Sequence, residues 1–360
     1  MFKSQVGRQE LEQTARSLVV DGKGILAADE TVPTLTKRFD ALKIASTENS
    51  RRTYRDMFFT TPDISAFISG VILQDETIRQ KNAAGIPLTN VLSEQGIIPG
   101  IKVDTGAKVL AGSPEEKITE GLDGLRDRLK EYAAMGARFA KWRAVIRITD
   151  TLPSPMCVNV NAHALARYAA LCQEQGIVPI VEPEVLMDGA HTIKRCEDVT
   201  SSILHEVFHA LFEQCVSLEG MLLKPNMVIA GKDCPKKASV EEVAIATLRC
   251  LRRHVPAAVP GIVFLSGGQS DVLATAHLNA INKRDLPKPW KISFSYGRAL
   301  QDPAIEVWHG KQQNLKAAQH AFYHRAKCNS AAAIGTYTSA LEGKKSAPEA
   351  DVHRSDWHDD

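Results

Sequence analysis

The sequence is short of every feature that would place it in a membrane, a secretory route or a disulfide scaffold. No stretch approaches the roughly 20 apolar residues that cross a bilayer as a helix. The opening MFKSQVGRQELEQTARSL is charged and polar and lacks the apolar core of a secretory signal. Cysteine is sparse: Cys157, Cys172, Cys196, Cys215, Cys234, Cys250 and Cys328 form an odd, scattered set without a C-x-x-C pair. Such a set suits reduced thiols in a cytoplasm better than a disulfide framework. Excess charge is also missing. A net charge of +2 gives no global pull toward nucleic acid or a membrane surface. Neither is expected as a partner, and any anion must be bound by a local cluster of cations.

What is present is an ordinary soluble composition with ample core, 44% hydrophobic and 24% charged. Eight short apolar runs recur along the chain: GILAAD (24–29), ISGVILQ (68–74), GIKVD (100–104), FAKWRAVI (139–146), IVPIVEPE (177–184), MLLKPNMV (221–228), GIVFLSGG (261–268) and ISFSYGR (292–298). Segments of helical periodicity separate them. NAHALARYAALCQEQG has apolar residues at 162, 165, 166, 169 and 172 and a closing Gly176. SVEEVAIATLRCLRRH opens on Ser239 with Glu242 three residues on, the pattern of a capping box. Eight strand–helix units in sequence predict a single (β/α)8 TIM barrel over residues 1–341. An open doubly wound sheet is the alternative, and the even count and regular pitch favour closure. Residues 342–360 are polar and aperiodic, which predicts a mobile tail.

Several runs start apolar and end in charge. Asp29 ends the first, Lys102 and Asp104 lie on the third, and Lys141 and Arg143 on the fourth. Glu182 and Glu184 lie on the fifth, Lys224 on the sixth, Ser266 on the seventh and Arg298 on the eighth. Members two apart face the same way on a strand. In a barrel these positions converge at the C-terminal mouth, where barrel enzymes keep their active sites. A single charge at a strand end is ordinarily just a solvated side chain. Recurrence of lysine, arginine and acid at the same end of many strands is not. Arg38, just past the first strand, adds a further cation. A cation-rich mouth on a near-neutral chain implies an anionic substrate. LSGGQS (265–270) and YGR (296–298) follow strands seven and eight, where barrels commonly hold phosphate. Glycines there admit close backbone approach, and arginine can clamp phosphate through two parallel bonds.

Lys224 stands in the apolar GMLLKPNMV, an expensive place for an ammonium. A neutral lysine attacks carbonyls. A free lysine with pKa ~10.4 would need about 4 to 5 kcal/mol of bias to be neutral near pH 7. Partial burial and a like charge can supply that bias, and Lys141 is the expected neighbour. The resulting protonated Schiff base withdraws electrons from an adjacent carbon–carbon bond without a metal. Glu182 or Glu184 fits the acid/base needed to make and break it, and Asp29 fits the base for a departing hydroxyl proton.

Two motif matches do not fit. HEVFH (205–209) has the spacing of a zinc protease helix, but its histidines flank a stripe of Leu204, Val207, Phe208, Leu211 and Cys215 between strands five and six, away from the mouth. GKGILA (22–27) imitates a dinucleotide fingerprint, but it follows a helical segment and leads into a strand, the reverse of that motif. No metal is expected. A glycosidase reading of Glu182 and Glu184 leaves Lys224 without a task.

These residues together resemble the class I fructose-bisphosphate aldolases, the metal-independent Schiff-base type. The resemblance rests on GKGILAADE, ENSRRTYR, GIKVDTG, FAKWRAVI, GIVPIVEPE, EGMLLKPNMV, FLSGGQS, LNAIN and FSYGRALQ, spread over residues 20 to 330. It implies a Schiff base on Lys224, acid/base work by Glu182 with Glu184 and Lys141 assisting, and deprotonation of a hydroxyl by Asp29. It implies a substrate channel lined by Lys102 and Arg143. One phosphate would be held by Ser266, Gly267, Gly297 and Arg298, with Arg38 helping at the phosphate sites. It also implies reversible cleavage of fructose 1,6-bisphosphate to dihydroxyacetone phosphate and glyceraldehyde 3-phosphate, no cofactor, and a cytoplasmic homotetramer serving glycolysis and gluconeogenesis. The alternatives are another Schiff-base barrel lyase on a related sugar phosphate, or a non-catalytic binding or scaffold protein on the same fold. Two positions depart from the family pattern. ETVPT (30–34) replaces the usual Glu-Ser-Thr-Gly, putting Pro33 in what reads as a stiffened loop beside Asp29. The chain ends DWHDD, where many members end in a tyrosine that helps protonate the enamine.

Overall fold

A computed structural model of the chain describes residues 5–343. Ten strands are present: β1 (Gly24–Ala27), β2 (Ile68–Leu73), β3 (Ile98–Lys102), β4 (Ala107–Leu110), β5 (Ser113–Thr119), β6 (Phe139–Ile146), β7 (Val178–Val185), β8 (Leu222–Leu223), β9 (Gly261–Phe264) and β10 (Lys291–Tyr296). Eight of them close a barrel in the order β1-β10-β9-β8-β7-β6-β3-β2. Every pairing in the ring is parallel, and each strand lies beside its neighbour in sequence once β4 and β5 are set aside. All eight expected runs are therefore strands of the expected (β/α)8 barrel. The sixth pairs over two residues only, because Pro225 follows Lys224 and a proline cannot extend the ladder. The hairpin β4–β5 was not legible. Its residues are mixed in charge and its buried positions include Glu116 and Thr119, so no apolar alternation marks it.

The helices start where side-chain caps allow. Ser239 and Glu242 form the reciprocal capping box expected from the sequence, and the helix runs Val240–His254. Ser154 caps a helix Pro155–Glu174, with proline in the first turn, where its missing N–H costs nothing. Gly176 follows it with φ +72°, the left-handed conformation that glycine adopts without strain. HEVFH lies on the outer helix Ile193–Glu213, with His205 and His209 both exposed. Leu204, Val207 and Leu211 form its buried stripe. Cys215 is not part of that stripe: it lies beyond the helix end, exposed, with φ 54°. GKGILA is the expected helix stop and lead-in to β1, with Gly22 at φ +73°.

Two packed layers hold the barrel. The larger joins the outer helices to the backs of the strands. The smaller fills the barrel's lower end, where Leu11, Ala15 and Leu18 of the helix Gln5–Leu18 meet Ile25, Phe139, Val178, Ile180, Leu222 and Val263. Those strand residues point inward, so by the period of two the inward row continues upward into charge. Phe139 leads to Lys141 and Arg143, Ile180 to Glu182 and Glu184, and Leu222 to Lys224. One alternation thus builds both the floor and the site above it.

Glycines make room for that floor. A Cβ on Gly100 would lie 2.3 Å from the Phe139 ring, and one on Gly24 would lie 2.5 Å from Phe294. Residues 344–360, most of the expected tail, lie outside the described residues. Glu342, assigned to that tail, is anchored instead: it pairs with Arg325 and accepts the Tyr337 hydroxyl at 2.8 Å.

Gly100→Ala is expected to destabilise the fold by about 1–3 kcal/mol, measured by urea unfolding, because backbone and a packed ring confine the new methyl. Phe139→Leu in the same background should recover part of that loss, relative to its cost in wild type, if the ring is the obstacle.

Candidate active site

The mouth of the barrel opens into a cavity of about 870 Å³ lined by Asp29, Lys102, Lys141, Arg143, Glu182, Glu184, Lys224, Ser266, Gly267, Gly297, Arg298 and Arg38. The structure thus brings every sequence-predicted site residue into one space.

At its floor four charges alternate. Lys141 Nζ lies 2.7 Å from Asp29 Oδ2 and 3.3 Å from Glu182 Oε2, and Lys224 Nζ lies 3.1 Å from Glu182 Oε1. The Lys141, Lys224 and Glu182 side chains are no more than 5% exposed. Charges so buried persist only when paired. Burial alone would raise the Asp29 carboxyl, but Lys141, Lys224 and Lys102 outweigh it and hold it down at about 2. Burial likewise opposes the Lys141 ammonium, yet Asp29, Glu182 and Asp104 raise its pKa above the usual lysine value. Lys141 is therefore a fixed cation and Asp29 a fixed anion near neutral pH. This revises one expectation. Lys141 stands near Lys224, but two carboxylates share its charge, so it does not act on Lys224 as an uncompensated like charge.

The two glutamates differ in what they contact. Glu182 faces Lys224, whereas Glu184 pairs with Arg143. Glu182 Oε2 faces Lys141 Nζ at 3.3 Å without a hydrogen bond of good geometry among the described residues. Lys102 pairs with Asp104, whose Oδ2 also accepts the Arg143 backbone N–H at 3.3 Å.

On the other side of the mouth, Gly267 and Gly268 follow β9 with φ +60° and +79°, a turn that side-chain-bearing residues resist. Gln269 donates to Ser266 O at 2.9 Å, and His277 Nδ1 lies 2.5 Å from Gln269 Oε1. His277 is buried, which pushes its pKa down to about 4 and leaves a neutral ring bracing the turn. Gly297 caps the helix Arg298–Trp308, whose N-terminus opens into the same space. Backbone N–H groups at a helix start, a glycine turn and an arginine make an anion site.

The sequence did not reveal what holds Arg38 and the loop after β1. Glu30 bridges Arg38 at 2.6 Å and the buried Arg55 at 2.9 Å. Arg38 also bonds Gln301 and Asp302, each at 2.8 Å. Gln301 in turn donates to Ala27 O and accepts from Tyr54. Arg38 therefore lines the mouth while already engaged with two carboxylates. Pro33 is likewise not in a loop. It sits in the first turn of the helix Val32–Ala41, capped by Thr31, where no N–H is missed.

The family model for class-I fructose-bisphosphate aldolase matches residues 10–357. The chain belongs to the class I fructose-bisphosphate aldolase family. It is 56% identical over 330 residues to a probable class 1 fructose-bisphosphate aldolase of Xylella fastidiosa (strain Temecula1), covering 91% of this chain and 98% of that one. Mouse fructose-bisphosphate aldolase B is 52% identical, with 92% of this chain and 91% of the relative covered. The solved aldolase of Plasmodium falciparum, in a complex with TRAP and a small-molecule inhibitor, superposes with a TM-score of 0.92 at 49% identity. That match covers 94% of this chain and 98% of the other. For this class I aldolase the fold match is thus of a piece with the sequence match.

Lys141→Met should move the Asp29 carboxyl titration upward from about 2, since burial then acts with less opposition. Carbon-detected NMR of aspartate-labelled protein reads that midpoint. An unmoved midpoint would show that Lys141 does not set it.

Proposed function

We propose that this aldolase works through a Schiff base on Lys224, reversibly cleaving fructose 1,6-bisphosphate to dihydroxyacetone phosphate and glyceraldehyde 3-phosphate. The observation that carries the proposal is the shared floor, in which Glu182 lies between Lys224 and Lys141 and Lys141 between Glu182 and Asp29. Of two buried lysines, Lys141 is held charged by its carboxylates, which leaves Lys224 as the nucleophile.

Lys224 Nζ attacks the ketose carbonyl. Glu182 first takes the ammonium proton of Lys224 and gives it to the carbonyl oxygen as the nitrogen adds. It then takes a second proton from that nitrogen and gives it to the carbinolamine hydroxyl, which departs as water, and Lys141 steadies Glu182 throughout. The iminium formed is the electron sink. Asp29 accepts the hydroxyl proton as the neighbouring carbon–carbon bond breaks, and the bonding pair moves toward the iminium nitrogen. Its neighbours Lys141, Lys224 and Lys102 keep the Asp29 carboxyl ionised, so it is ready to accept that proton. The aldehyde product leaves first. The enamine is then protonated on carbon and hydrolysed, releasing dihydroxyacetone phosphate and the free lysine.

Lys102 and Arg143 line the channel, with Glu184 orienting Arg143. Ser266, Gly267, Gly297 and Arg298 hold one phosphate, and Arg38 lies at the mouth near the other. Residues 1–341 act as the catalytic unit. No described helix is long and apolar enough to cross a membrane, and some family members are cytosolic by name. A cytoplasmic homotetramer in glycolysis and gluconeogenesis is the setting we propose.

Borohydride reduction with dihydroxyacetone phosphate, followed by peptide mapping, should place a single adduct on Lys224. Lys224→Ala should fold normally by circular dichroism and lose at least about 10³-fold in kcat. Unchanged turnover in that variant, or an adduct on Lys141, would refute the assignment. Activity should survive EDTA.

A further inference from the structure

The loops after β7 and β8 are fastened back to back. Gly231 N donates to His191 O at 2.8 Å, Lys232 N to Met187 O at 2.7 Å and Asp233 N to Gly189 O at 3.0 Å. A Cβ on Gly231 would lie 2.1 Å from Gly189 O, so only glycine permits this approach. Lys237 Nζ adds a bond to the Lys232 carbonyl. The backbone of Lys232 is therefore fixed while its side chain remains 35% exposed.

That side chain borders the anion turn. A Cβ built on Gly268 would meet Arg298 Nη2 and Lys232 Cε, each at 3.6 Å, with Met187 Sδ at 3.7 Å. Two cations, one from the loop after β8 and one from the start of the helix Arg298–Trp308, thus flank one small gap over the glycine turn, and the absent side chain at 268 keeps that gap open. In the ligand-free structure Lys232 Nζ rests 3.0 Å from Asp188 Oδ1. Both partners are 35% exposed, and water screens such a pair, so it holds weakly. A phosphate monoester carries about −1.5 to −2 charges at neutral pH. It competes readily with a single carboxylate for that ammonium.

We propose that Lys232 is a further ligand of the phosphate held at the Gly267–Arg298 turn, and that Asp188 restrains it until substrate arrives. The proposal rests on the aldolase reading above and extends it to a residue outside the catalytic floor. Lys232 swings from Asp188 to the phosphate, so the two side chains act with opposite sign. Lys232 strengthens substrate binding and Asp188 weakens it.

Steady-state kinetics with fructose 1,6-bisphosphate, and competitive inhibition by inorganic phosphate, test this in the full-length protein. Lys232→Met should raise KM and the phosphate inhibition constant about 3- to 10-fold, with a smaller effect on kcat. Asp188→Asn should lower both constants about 2-fold. A purely structural ion pair predicts the same direction for both variants, because either substitution breaks it. Same-direction effects, or none, overturn the proposal. Arg298→Ala separates the two levels. If it raises KM while Lys232→Met and Asp188→Asn do not change it in opposite directions, the phosphate turn stands and Lys232 is not its ligand. If Arg298→Ala leaves KM unmoved, the phosphate assignment falls and this proposal falls with it. Circular dichroism confirms that each variant is folded.

Discussion

The sharing of Lys141 between Asp29 and Glu182 is the contact on which the rest of the mouth depends. Four ionisable groups on β6, β7, β8 and the end of β1 sit above a dry apolar floor. None could stay charged there alone. Alternation of sign lets all of them do so, at the cost of requiring each neighbour. The same arrangement divides the chemistry. A lysine bracketed by acids stays a cation and serves as a donor. A lysine at the end of the row has a single acid beside it, which is the position the function proposed above gives to the nucleophile.

This row needs four strands held in fixed register, which the barrel provides. Arg143 pairs with Glu182 and Val145 with Glu184 across β6 and β7. Inward-facing side chains are therefore set by backbone pairing, not by flexible loops. The loop after β1 is the weak point, since Asp29 lies just beyond the strand. Glu30, Arg38, Arg55 and Gln301 compensate by tying that loop to β1, to the helix Glu48–Phe59 and to the helix Arg298–Trp308. Arg55 is almost wholly buried, and removing its partner would leave an uncompensated guanidinium, a several-kcal/mol defect. Positioning of the Asp29 carboxylate is thus coupled to the stability of two helices.

Most of the barrel was legible because parallel barrel strands are buried on both faces and read as continuous apolar runs. Charges at the ends of those runs stood out against that background, which made Lys141, Glu182 and Lys224 visible. Glu30, Gln301 and Asp302 were not, because they sit in polar stretches where an acid or amide is unremarkable. Their partners are distant in sequence and meet only when the ring closes. The β4–β5 hairpin escaped for a related reason: the positions it buries include the polar Glu116 and Thr119, so no apolar period marks them. Pro33 misled in the other direction. Proline reads as loop punctuation, yet the first turn of a helix tolerates it equally, and Thr31 supplied the cap that decides between them.

A last consequence concerns charge balance at the mouth. In the ligand-free structure the conspicuous cations are already matched: Lys102 by Asp104, Arg143 by Glu184, Arg38 by Glu30 and Asp302. Counting cations in the sequence therefore overstates the field that an incoming bisphosphate meets. The Arg298 guanidinium differs, with no hydrogen bond or ion pair to it among the described residues, and it sits at a helix start beside a glycine turn. That asymmetry gives the mouth a direction. On the function proposed above, one phosphate goes to the β9–β10 side, where the Arg298 guanidinium is uncommitted. The opposite side can take the other only by exchange with carboxylates already in place. Orientation of a nearly symmetric bisphosphate then follows from which cations are spoken for, not from how many there are.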